Sequence, residues 1–101
     1  MTTGKIVVKV DPDLKELIPG FLANRRKDIT TLRDALAKGD RAQLQSTGHS
    51  LKGVGGGYGF AEMSTIGAEI EAAAKAGNLD AVPGLVDRYA QYLDRVEVVF
   101  E

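Results

Sequence analysis

At 101 residues, 44% of them apolar, the chain can bury one hydrophobic core but hardly two, so a single domain is expected. Its 13 basic and 14 acidic side chains leave a formal net charge of -1, which removes the broad positive field that binding to nucleic acid or anionic membrane requires. No apolar run approaches the roughly 20 residues of a membrane span, no signal-peptide stretch opens the chain, and the absence of cysteine excludes disulfides and thiol chemistry, so the expectation is a cytoplasmic protein with one histidine, His49.

Ile6, Val7, Val8 and Val10 form a short β-branched run ended by Asp11 and Pro12. It reads as an extended N-terminal arm over residues 1–11, with no obvious partner strand elsewhere in the sequence. From Asp13 the pattern turns helical. Ile18, Phe21, Leu22, Ile29, Leu32 and Leu36 recur on one stripe, while Arg25, Arg26, Lys27 and Asp28 fill other faces. Pro19-Gly20 is read as separating a lead-in turn from this first long helix. Gly39-Asp40 joins a helix-ending glycine to an N-cap, closing that helix and opening a second with Leu44, Thr47, Gly48, Leu51 and Val54 inward.

A third helix is expected to start near Gly59-Phe60, with Met63, Ile66, Gly67 and Ile70 on its core face, and to end at Gly77-Asn78. Asn78 or Asp80 caps a fourth, where Pro83 falls in the first turn and costs little. Val82, Val86, Tyr89, Leu93, Val96 and Phe100 carry the helical period to the C-terminus. The expected fold is all-α, an antiparallel up-and-down four-helix bundle over residues 12–101 with a short N-terminal arm.

The segment His49 to Phe60, HSLKGVGGGYGF, does not read as ordinary bundle sequence. It holds five glycines in twelve residues, each of which costs a helix interior roughly 0.5–1 kcal/mol relative to alanine. At 100° per residue His49 lies about 160° from Leu51 and about 140° from Leu44, so with those leucines in the core the imidazole faces solvent. Lys52 and Gly53 share its exposed face, three and four residues on, and Gln45 precedes it by one turn. The arrangement suits phosphoryl transfer. A free imidazole has a pKa of about 6.5 and is nucleophilic when neutral. Lys52 offsets charge on phosphoryl oxygens, and Gly53 leaves room for another protein's active site.

Other readings of these residues are weaker. A lone histidine on a soluble helix is, taken alone, more often an ordinary surface residue; the glycines and lysine beside it weigh against that here. No GxGxxG register fits Gly53, Gly55, Gly56, Gly57 and Gly59, and Lys52 precedes rather than follows the glycines as a Walker loop requires. One histidine without cysteine leaves only Asp and Glu as further metal ligands, and none stand in a paired cluster around it, so neither metal nor cofactor is expected.

His49-Ser50-Leu51-Lys52-Gly53 followed by Gly59-Phe60 resembles the HxLKG…GF signature of histidine-containing phosphotransfer domains. The flanking FLANRRKDITTLRDALAKGD and AEMSTIGAEIEAAAKAGN are similar to the family's helices, so the resemblance runs from about Asp11 to Val96. It implies a phosphorelay intermediate of two-component signalling, without kinase activity of its own, which carries the phosphoryl group on the distal imidazole nitrogen. The partners implied are response-regulator receiver domains and a hybrid histidine kinase, with magnesium belonging to the receiver and the chain acting as a monomer.

Residue by residue, the resemblance implies His49 as phosphoacceptor, Lys52 as phosphate-side cation, Gly53 as the access position and Glu71 as hydrogen-bond partner of the other ring nitrogen. Gln45, Gly56 and Lys75 are expected to meet the partner protein, although Glu71 and Lys75 equally make an ordinary i,i+4 surface pair. The sequence departs from the family pattern at Gly48, where alanine is frequent, and at Gly55 to Gly57, where small polar residues are usual; these changes bear on helix rigidity. Two further readings are a phosphoacceptor piece of a larger histidine kinase and a non-catalytic bundle that only docks a receiver.

Overall fold

The computed structural model describes residues 5–101, so the first four residues of the expected arm lie outside the described residues. Ile6–Val10 form a strand, β1, and a 3-10 turn follows at Pro12–Leu14. Four helices come next, α1 (Ile18–Lys38), α2 (Arg41–Tyr58), α3 (Ala61–Ala76) and α4 (Val82–Arg95), and a second strand, β2 (Val96–Phe100), closes the chain. Among the described residues no helix is long and apolar enough to cross a membrane.

The first three helices stop by one device. Gly39, Gly59 and Gly77 adopt φ of 66°, 87° and 74°, left-handed backbone that any side chain with a Cβ resists. Each lets the next amide turn back five residues: Asp40 N–H donates to Ala35 O at 2.8 Å, Phe60 N–H to Gly55 O at 2.7 Å, and Asn78 N–H to Ala73 O at 2.9 Å. The residue after the glycine then starts the next element. Asp40 caps α2 by accepting the Gln43 N–H at 3.1 Å, and Phe60 stands at the N-cap of α3. Phe60 is also fully buried, 5.2 Å from the Phe21 ring, which itself stacks on Tyr58 at 4.4 Å. Burying a side chain of this kind contributes roughly 1.5–3 kcal/mol.

The core is one cluster fed by every helix, with Leu32, Leu44, Leu51, Ile66, Ile70 and Val86 fully enclosed. Helices α2 and α3 approach most closely, and glycine is the reason. A Cβ on Gly48 would lie 2.7 Å from Glu71 N, one on Gly55 would lie 2.6 Å from Ser64 N, and one on Gly67 would lie 2.5 Å from Lys52 N. Two side chains tie the ends of this pair. Ser64 Oγ donates to Lys52 O at 2.8 Å, and the Arg41 guanidinium donates to Ala74 O and Lys75 O at 3.1 and 3.0 Å, adding donors to carbonyls in the last turn of α3.

The structure corrects the sequence reading at both termini. The run at residues 6–10 does have a partner: β1 pairs in parallel with β2, from Ile6 opposite Val96 to Val10 opposite Phe100. The last helix therefore ends at Arg95 rather than reaching Phe100. Val96 and Phe100 share a side at i,i+4 in a helix and also at even spacing in a strand, so periodicity cannot separate the two. The β-branched Val96, Val98 and Val99 and the waiting β1 edge settle it for the strand. Val8 and Val10 are buried beneath this ladder, while Lys5–Glu97 and Lys9–Glu101 pair on its outside at 3.0 and 3.6 Å. The chain is thus mostly helical with a small two-stranded sheet. Pro19 and Gly20 lie inside the first turn of α1, not before it, because the missing proline N–H has no helical partner there anyway. The glycine-rich stretch stays helical through Tyr58.

Tyr89 and Tyr92 bury hydroxyls that bond to no described residue. Burial pushes both phenols up, Tyr92 to about 12. Tyr89→Phe and Tyr92→Phe are therefore expected to leave the unfolding free energy unchanged or to raise it by up to about 1 kcal/mol. Urea denaturation checks this, and a loss of that size in either variant would mean that the hydroxyl has a partner in solution.

Candidate active site

Helix α2 buries Leu44, Thr47 and Leu51 on one side, and this turns His49, midway along it, outward with 73% of its side chain exposed. Helix α3 supplies the group beneath the ring. Glu71, with 13% of its side chain exposed, brings Oε2 to 3.0 Å from His49 Nδ1. A carboxylate can only accept, so Nδ1 carries the proton and donates it. In the neutral ring this leaves the lone pair on Nε2, which has no partner among the described residues.

Two ammonium groups flank the same carboxylate. Lys52 Nζ lies 3.9 Å from Glu71 Oε1, and Lys75 Nζ lies 3.9 Å from Glu71 Oε2. Both lysines are more than half exposed, so each pair adds little stability. Their consequence is positional, because two positive charges meet the carboxylate that holds the imidazole. Lys75 makes the i,i+4 pair with Glu71, on the same Oε2 that His49 Nδ1 meets.

The sequence-predicted residues all lie on α2 or α3. Gln45, half-buried, lines with Ala42, Ser46, His49 and Glu71 an open depression of about 470 Å³ on the α2–α3 face. In the other direction along α2, a Cβ added at Gly53 would meet nothing within 4 Å, and one at Gly56 would meet only Ser64 Oγ at 3.7 Å. The surface one and two turns beyond the histidine is therefore bare backbone. Three contributors escaped the sequence reading: Arg41 and Ser64, whose bonds join α2 to α3, and Gly67, read only as a core-face position. Gly67 stands one turn before Glu71, and that spacing was the available signal. Nothing in the sequence marks Arg41.

Replacing Glu71 with alanine removes the acceptor that selects the tautomer. In the neutral ring, ¹⁵N NMR of Glu71→Ala is expected to show the Nδ1–H form dropping to the share found in free histidine, with the helical circular dichroism retained. Identical tautomer populations in wild type and variant would show that the 3.0 Å contact does not persist in solution.

Among known proteins, the family model described as the Hpt domain matches residues 16–98. The chain shows no significant match to a curated protein or to a solved structure. The matched span takes in α1 to α4 and every residue that surrounds the imidazole, and on that extent the chain belongs to the Hpt domain family.

Proposed function

We propose that this protein is a histidine phosphotransfer module that accepts a phosphoryl group on His49 Nε2 and exchanges it with the aspartate of a receiver domain, in a relay fed by a hybrid histidine kinase. The Hpt domain family serves phosphorelays by histidine phosphotransfer. The observation that carries the reading to a single atom is the His49 Nδ1–Glu71 Oε2 contact beneath an exposed ring.

In the step, the Nε2 lone pair attacks the phosphorus of the receiver's aspartyl phosphate. The N–P bond forms as the bond from phosphorus to the aspartate oxygen breaks, and the aspartate leaves as a carboxylate. No proton has to leave the ring. Nδ1 keeps the one it holds, and the positive charge that develops on the imidazole is met by the Glu71 carboxylate. Lys52, one turn on from His49, offsets negative charge on the phosphoryl oxygens, and Lys75 with Gln45 and Gly56 faces the receiver. Gly53 keeps the approach open, since the reacting aspartate of a partner lies in a recess that must close over the histidine. The same groups run the step in reverse.

Two-residue turns join α1 to α2 and α2 to α3, which favours antiparallel neighbours and an up-and-down bundle. Residues 12–101 are read as the phosphotransfer unit and residues 1–11 as an arm laid against it, the whole acting as a cytoplasmic monomer.

Incubation with a receiver domain charged by acetyl phosphate is expected to leave an acid-labile, alkali-stable label on this chain. His49→Gln should remove the label entirely while keeping the helical signal, since no other histidine can substitute. Gly53→Gln should slow transfer strongly yet cost no stability, because leaving glycine gains helix propensity of roughly 0.5–1 kcal/mol. Labelling of His49→Gln at the wild-type rate would defeat the assignment of the acceptor, and normal transfer by Gly53→Gln would show that the approach does not run over that position.

A further inference from the structure

Gly48 immediately precedes His49 on α2, and Gly67 stands one turn before Glu71 on α3. Alanine would favour the helix at both positions, so a glycine at each needs another cause. The backbones supply it. A Cβ on Gly48 would lie 2.7 Å from Glu71 N, 3.1 Å from Glu71 Cα and 2.9 Å from Gly67 O. A Cβ on Gly67 would lie 2.5 Å from Lys52 N, 2.7 Å from Gly48 O and 2.8 Å from Leu51 Cβ. The two glycines therefore face one another, and each also abuts the main chain of an active-site residue on the opposite helix.

We propose that Gly48 and Gly67 are positioning residues for the reaction: their reciprocal contact sets the α2–α3 separation at which Glu71 reaches both His49 Nδ1 and the Lys52 ammonium. A methyl group at either position meets backbone, which cannot swing aside as a long side chain can, so α3 must move outward. Glu71 cannot simply follow the histidine. Its side chain is largely enclosed and is flanked by Lys52 and Lys75. With α3 displaced, the carboxylate loses the Nδ1 proton or reaches it only off a staggered rotamer. The imidazole is then free to turn, and Nε2 no longer points in one direction. The close approach is local to this seam. Gly53 and Gly57 on the same helix, and Gly84 on α4, have nothing within 4 Å of an added Cβ. The departure from the family pattern at Gly48 thus has a structural cause in this chain.

The inference rests on His49 as phosphoryl acceptor, but its first readout needs no phosphoryl group. Gly48→Ala and Gly67→Ala are compared with wild type and with Gly84→Ala by ¹⁵N NMR of the His49 ring and then by transfer from a charged receiver. The two seam variants are expected to lose the Nδ1–H tautomer preference and to transfer about tenfold more slowly or worse, with helical circular dichroism kept; Gly84→Ala is expected to match wild type in both. Wild-type tautomer and wild-type transfer in the seam variants would overturn the proposal, as would a tautomer change that leaves transfer untouched. A wild-type chain that takes no label would instead sink the phosphotransfer reading, whatever the ring does. Should a seam variant not fold, wild type decides: strong cross-relaxation from Gly48 Hα to the Glu71 amide and from Gly67 Hα to the Lys52 amide is expected, and its absence removes the contact on which the proposal stands.

Discussion

Two helices ordinarily pack with their axes 8–10 Å apart because side chains at the crossing hold the backbones away from one another. Where α2 crosses α3 that spacer is missing at Gly48, Gly55 and Gly67, and main chain meets main chain. The histidine projects from one wall of this seam and its carboxylate partner from the other. Each glycine weakens its own helix by about 1 kcal/mol relative to alanine, so the seam stands only because the remaining faces of both helices are well buried. Leu44 and Leu51 on α2, and Met63, Ile66 and Ile70 on α3, supply that burial. The local sequence choice is unfavourable, and the packed pair offsets it.

The polar contacts at the site could not set this geometry by themselves. Ion pairs of 3.9 Å from half-exposed lysines contribute 0–1 kcal/mol and are screened by salt. The bond between His49 and Glu71 involves a ring that is mostly in water. Such contacts select a rotamer and a tautomer once the helices are in place, but they do not hold helices in place. That is done by the backbone seam, by the buried side chains behind it, and by the bonds that close it at either end, Ser64 to Lys52 O and Arg41 to the last carbonyls of α3. Glu71 then serves two roles through one carboxylate, as anchor for the ring and as counter-charge for the lysines.

The helices and most of their ends were legible in the sequence because their signals are local. Gly39-Asp40, Gly59-Phe60 and Gly77-Asn78 each place a left-handed glycine directly before the residue that opens the next element, and the structure puts helix ends at all three. The outward face of His49 followed from 100° per residue and two leucines. What was not legible depends on distant partners. Val96 to Phe100 satisfies a helical and an extended pattern equally, and only Ile6 to Val10, at the far end of the chain, decides between them. Gly48 looked like a loss of rigidity because its reason is Glu71, more than twenty residues on. Arg41 carries no local mark at all, since its acceptors are backbone carbonyls of another helix.

Parallel pairing of the first strand with the last has a consequence for the order of assembly. Residues joined across this ladder, such as Ile6 and Val96, are 90 positions apart, and parallel strands can be linked only by a crossover, here the whole bundle. Closing so long a loop before anything inside it is ordered is entropically costly, whereas α2 and α3 need only a two-residue turn to meet. The helical hairpin that bears the histidine is thus the early, locally encoded part of the fold, and the sheet is a clasp fastened over it. Fraying of the clasp exposes Val8 and Val10 without first parting the seam, so among the described residues the two strands are the least protected and His49 sits in the part built to open last.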